Sequence, residues 1–162
     1  VNPENLTTLA AMIRTQILND VDDPRTRQLG ALIVRKYNVP ARDQEKLARA
    51  VQLFAQDIKF FREYPEVIAA PWVTAQWGIG DCDDKSRMIA SILKSFRMPV
   101  RLVYVTFIKK EGQPATSHVY PEANINGKWE ALESVQKWPI GKNAIDLIIK
   151  KGYKYNSFST EI

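Results

Sequence analysis

The sequence predicts an α+β domain. Apolar residues recur at helical spacing through the first sixty positions and again from 82 to 96. Later come β-branched or alternating runs, from 100 to 108 and from 117 to 135. Helices gathered early and strands gathered late point to α+β rather than to strictly alternating βα units. The chain has 162 residues and is 45% apolar, enough for one compact core without covalent staples.

Leu6, Leu9, Ile13 and Ile17 predict a helix over residues 3 to 19. Asp22-Asp23-Pro24 predicts the start of a second helix, with an acid at the cap and proline at the first turn. It runs to about Tyr37, and Val39-Pro40 breaks it. Leu47, Ala50, Val51, Phe54 and Ile58 stripe a third helix, about 42 to 60. Residues 61 to 81, rich in Pro, Trp and Gly, read as irregular. Met88, Ile92 and Phe96 share one face of a helix from Cys82 to Phe96, which Asp81 can cap with Asp84 as capping-box partner. Met98-Pro99 ends it. Val100 to Ile108 is nearly continuous and apolar, as a central strand would be. Two strands, about 117 to 125 and 128 to 135, flank the turn Asn126-Gly127. A short helical pattern surrounds Ile145, Ile148 and Ile149, and the polar, aromatic tail beyond it has no assignment. The expected organisation is one domain over 1–162, with an N-terminal helical extension (1–40), a core (41–140) and a C-terminal extension (141–162).

Composition excludes several classes. One cysteine cannot form an internal disulfide, which fits a reducing compartment. One cysteine and one histidine cannot make the usual structural zinc site, and neither metal nor cofactor is expected. No apolar run approaches membrane-spanning length and no signal-peptide pattern is seen, so no membrane partner is expected. The net charge of +5 is scattered rather than arranged in a basic, aromatic stripe, so it reads as a solvated surface and not a nucleic-acid site.

Reactive chemistry concentrates in the two scarce residues. Cys82 opens a helix, where free N–H groups and the dipole favour a thiolate; Asp81, Asp83 and Asp84 oppose it by like-charge repulsion. An imidazole is therefore needed, and His118 is the one available. A two-residue Asn-Gly turn sets Ile125 opposite Lys128, Asn124 opposite Trp129 and Tyr120 opposite Glu133. His118 and Glu133 then become diagonal neighbours on one face, with Cα atoms about 7–8 Å apart. A bulge at Pro121 would turn Glu133 to the other face. Cys82, His118 and Glu133 thus form a candidate nucleophile, base and orienting acid. The backbone N–H of Cys82 is the first candidate oxyanion donor. Gln76 is the preferred side-chain donor, with Trp77 and Trp72 as alternatives and a water-facing loop glutamine as the bland reading. Bland readings exist for the others too: a lone cysteine as a small core residue, Glu133 as a solvated strand end, the three aspartates as a capped turn rather than a cation site, and Trp129 as packing.

These motifs resemble the transglutaminase-like superfamily. Gly80-Asp81-Cys82-Asp83-Asp84-Lys85-Ser86, an apolar helix and then Met98-Pro99-Val100-Arg101 resemble its cysteine helix and strand entry. His118-Val119-Tyr120-Pro121-Glu122 and Asn126-Gly127-Lys128-Trp129-Glu130-Ala131-Leu132-Glu133 resemble its histidine strand and acid-ending hairpin. The likeness covers about residues 45 to 136. Glu133 stands where the family usually has Asp, and Tyr120 and Pro121 also depart from its pattern. The Asp-rich cysteine motif and Asp57-Ile58-Lys59-Phe60 look most like copies carried by tailed bacteriophages. The resemblance implies a papain/transglutaminase-like fold, N-terminal helices, and a nucleophile helix packed on an antiparallel sheet. It implies a cysteine-dependent peptidase or amidase working through Cys82, His118 and Glu133 and a thioester. The expected substrate is a peptide or protein, such as cell-wall peptide or a virion protein, in the host cytoplasm or the virion. The alternatives are an acyl transferase and a catalytically weak structural component whose N-terminal helices bind virion partners.

Overall fold

The computed structural model describes residues 3–62 and 67–162. The portion 63–66 of the stretch expected to be irregular lies outside the described residues. Helix α1 (Pro3–Asp22) buries Leu6, Ala10, Ile13 and Ile17. The Asp23 carboxylate accepts the Arg25 N–H and starts α2 (Pro24–Lys36), with Pro24 in the first turn. Its bonds to Arg25 hold that carboxyl at about 2, below the ordinary 3.8. Asp43 caps α3 (Gln44–Asp57) by accepting the Lys46 N–H.

The third helix ends three residues before its expected limit. Ile58 is extended, and Lys59–Phe60 forms a short strand, β1, parallel to β2 (Ile79–Gly80). Between them lies α4 (Pro71–Trp77), in the stretch read as irregular. Pro71 lies at its first turn, and Gly78, at φ +67, ends it in the left-handed conformation. Helix α5 (Cys82–Ser95) is the centre of the molecule, with Met88, Ile89, Ile92 and Leu93 fully buried.

The second sheet has the strand order β5-β4-β3-β6, all antiparallel: β3 (Val100–Ile108), β4 (Thr116–Ile125), β5 (Lys128–Ala131) and β6 (Lys154–Glu161). The tail without a sequence assignment is the edge strand β6, where Phe158 lies opposite Tyr104 and stacks on it at 5.0 Å. Val100, Leu102, Tyr104, Val119, Ala123 and Ile125 share the core with α5. The opposite face carries Val103, Tyr120 and Ala131, covered by Ala144 and Ile145 of α6 (Ala144–Lys150). This is an α+β arrangement, with the cysteine helix packed on an antiparallel sheet. Among the described residues no helix is long and apolar enough to cross a membrane.

Candidate active site

The hairpin register places the base and the acid. Ile125 lies opposite Lys128 and Asn124 opposite Trp129, as the Asn-Gly turn requires. The ladder closes at Ala131 rather than at residue 135. Leu132 still donates to the Pro121 carbonyl, but Pro121 has no N–H to return, so pairing stops. No bulge intervenes, and Glu133 arrives on the side of His118. His118 Nε2 lies 2.9 Å from Glu133 Oε2. That bond makes Nε2 the donor to the carboxylate and leaves the Nδ1 lone pair free.

The short β5 also makes room for the nucleophile. Along β4, Asn124 donates towards β3 and the Pro121 carbonyl points to β5, so odd-numbered backbone groups face the β5 side. Val119 is therefore an edge residue beyond the end of β5. Side chains from the first turns of α5 take the place of the missing strand. Ser86 Oγ donates to the Val119 carbonyl at 3.3 Å, and the Val119 N–H favours the Cys82 thiolate. Val119 is also the residue next to His118 in β4. Cys82, His118 and Glu133 line one cleft of about 430 Å³.

The first turn of α5 is a complete capping box. Asp81 accepts the N–H groups of Asp83 and Asp84, and Asp84 accepts that of Asp81. Asp84 also accepts the Ala69 N–H at 2.7 Å, tying the loop before α4 to this turn. Burial raises the Asp84 carboxyl to about 6, with the nearby Asp81 charge adding to the rise. Gly80 lies close against its neighbours: a Cβ there would lie 3.0 Å from Asp84 Cβ and 3.1 Å from Thr74 Cγ2. Burial pushes the Cys82 thiol up, and the Asp83 and Asp81 charges push the same way. The Val119 N–H and Arg62 pull it down. A thiol in that balance needs a proton acceptor to react at neutral pH.

Glu133 is held at every polar atom the hydrogen bonds reach. Oε2 takes His118, and Oε1 takes the Ala144 N–H in the first turn of α6 at 2.9 Å. Its backbone carbonyl accepts from Gln52 and Gln56 of α3, each at 3.0 Å. Lys85 of α5 donates to the carbonyls of Ile58 and Ser134, and burial lowers its ammonium. Sequence reasoning missed this clamp. Its signal was present: Gln52 and Gln56 interrupt an apolar stripe one turn apart, and Lys85 sits inside the buried face of α5.

Gln76 and Trp77 are exposed near the end of α4 and are not among the residues lining the cleft. Trp72 stacks under the Arg25 guanidinium at 3.9 Å. Gln136 does line the cleft. Trp129 packs under Arg101, whose guanidinium lies 4.4 Å from the ring centre.

A sequence model described as the transglutaminase-like superfamily matches residues 27–134. No curated protein matches the chain. The fold is similar to that of a candidate cysteine protease from Cytophaga hutchinsonii, with a TM-score of 0.53 and 17% identity. That match covers 89% of this chain and 53% of the other. It is also similar to a candidate protease from Parabacteroides distasonis, with a TM-score of 0.56 and 8% identity, covering 77% of this chain and 26% of that one. The chain thus spans about half, or less, of the length of these solved proteins.

Proposed function

The chain belongs to the transglutaminase-like superfamily, and we propose on that premise that it is a cysteine-dependent amide hydrolase. Cys82 is its nucleophile, His118 its base and Glu133 the acid that orients the base. The observation that carries the reading is the 2.9 Å His118–Glu133 bond on the wall of the cleft that also holds Cys82.

The steps follow from the free atoms. Nδ1 of His118 takes the thiol proton as Sγ attacks the amide carbon. Glu133 holds Nε2–H and stabilises the imidazolium. The Cys82 backbone N–H, at a helix start, faces the developing oxyanion. Nδ1 then protonates the leaving amine, the C–N bond breaks and a thioester remains. Water, giving its proton to His118, cleaves the thioester to a carboxylic acid and the free thiol. An amine in place of water gives acyl transfer from the same intermediate.

The Asp-rich turn around Cys82 supports placing the chain with the copies of tailed bacteriophages, whose substrates would be cell-wall peptides or virion proteins. Residues 1–40 and 141–162 are then extensions of one domain, and the N-terminal helices are the surface for virion partners.

The test is release of new amines from peptidoglycan peptides and from casein. The wild type releases them, and Cys82→Ala does not while keeping its far-ultraviolet spectrum. Equal release by Cys82→Ala would end the proposal.

A further inference from the structure

The cleft beside Cys82 is uneven in charge. Arg62, Lys109 and Lys151 line it, and Glu133 is the one acid among its described lining residues. Glu133 is already bonded to His118 and to the Ala144 N–H. Among the described residues no ion pair engages the three cations.

Two of these cations stand on an aromatic platform. The rings of Phe107 and Tyr153 stack with centroids 6.1 Å apart and planes 5° from parallel. Lys109 Nζ lies 5.9 Å from the Phe107 centroid, and Lys151 Nζ lies 5.9 Å from that of Tyr153. The platform is beside the base. Phe107 pairs with Thr116 and Val105 with His118, so Phe107 and His118 share one face of the sheet, two pairs apart along the ladder.

Cations with no acidic partner among the described residues, at the wall of a concave site, concentrate anions there, and apolar rings in the lining take the body of a peptide. We infer that the cleft takes an acidic peptide: an amide substrate whose flanking residues carry side-chain or terminal carboxylates. It lies across Phe107 and Tyr153 with its carboxylates towards Lys109 and Lys151. This rests on the hydrolase reading for its chemistry, but not for its binding.

The single cysteine makes the site its own reporter. Alkylation rates of Cys82 are measured with anionic iodoacetate and neutral iodoacetamide, in wild type and in Lys109→Glu/Lys151→Glu. The iodoacetate-to-iodoacetamide ratio is expected to fall about tenfold in the variant, with Lys109→Gln/Lys151→Gln, the milder change, between. A ratio that moves in neither variant, both folded by circular dichroism, overturns the inference.

Protection supplies the second arm. A glutamate-rich octapeptide slows iodoacetamide labelling of Cys82, whereas its glutamine counterpart and inorganic phosphate do not. Equal protection by the glutamine peptide overturns the inference, and so does protection by phosphate alone, which would make the cleft a general anion site. Failures of the two readings separate cleanly. An acidic peptide that protects but is never cut defeats the hydrolase reading alone. Equal cleavage of acidic and neutral peptides defeats this inference alone.

Discussion

Glu133 does at one residue what the family usually asks of an aspartate, and the structure gives a reason for the longer side chain. Its two oxygens reach in different directions, one to His118 and one to the Ala144 N–H. Aspartate, one methylene shorter, cannot hold both from the same backbone position. Glu133→Asp is therefore expected to lower kcat/KM by about tenfold, the equivalent of roughly one hydrogen bond to a charged group. Glu133→Gln keeps the shape but not the charge, and is expected to cost about 10²–10⁴ in kcat. Steady-state kinetics of the two variants check the order; a glutamine variant as active as wild type would remove Glu133 from the mechanism. The pairing itself was legible in the sequence, because an Asn-Gly turn sets a register that can be counted outward from Ile125 and Lys128. Gln52 and Gln56 were legible as polar breaks in an apolar stripe, but their hold on Glu133, like that of Ala144, was not. Those contacts join residues 81, 77 and 11 positions away, and no local pattern marks which carbonyl a buried amide will find.

At the scale of elements, the first turn of α5 carries both stability and placement. Removing the cap with Asp81→Ala is expected to cost about 1 kcal/mol, lowering Tm by about 2–4 °C for a chain of this size. Thermal unfolding at pH 7 measures it, and an unchanged Tm would contradict the cap. Asp84 gives this turn a pH dependence. Its carboxyl rises from 3.8 to about 6 on folding, so the folded chain binds the extra proton between those values. The contribution of Asp84 to stability therefore falls as pH rises from about 4 to about 6 and is flat outside that window. Denaturant midpoints of wild type minus Asp84→Asn, taken from pH 4 to 7, should fall across the window; a difference that rises with pH contradicts the assignment. The capping box was readable from Asp81 and Asp84 alone. Helix α4 and strand β6 were not. Seven residues between Pro71 and Gly78 are too few for an apolar stripe to declare itself. The β6 residues are almost all exposed, so burial imprints no alternation on them.

Across the whole molecule, the N-terminal helices are tied to the nucleophile helix. Asp20 of α1 meets Arg87 of α5 through two bonds, 2.7 and 2.8 Å, and Ser91 adds a third at 3.1 Å. Both charged side chains are buried. Asp20→Ala would leave a buried guanidinium without its carboxylate, at a cost of about 3–5 kcal/mol. Replacing both, as Asp20→Leu with Arg87→Met, should recover much of that loss. Urea denaturation of the three proteins tests the coupling, and a double variant no more stable than Asp20→Ala would contradict it. The stripe of Leu6, Ile13 and Ile17 was legible as a helix face. That it covers this chain's own core, with Met88 and Ile92, is a property of the assembled fold.

The central claim is that His118 makes the half-buried Cys82 thiol reactive, and alkylation of that single cysteine tests it most directly. Burial, Asp83 and Asp81 all disfavour the thiolate. Without the imidazole, then, labelling at neutral pH should be slow. Iodoacetamide rates from pH 5 to 9 are compared for wild type and His118→Ala. The account predicts at least about a tenfold slower reaction at pH 7 in the variant, with its profile displaced to higher pH. Superimposable profiles in the two proteins would contradict it and leave Cys82 a packed residue at the head of a capped helix.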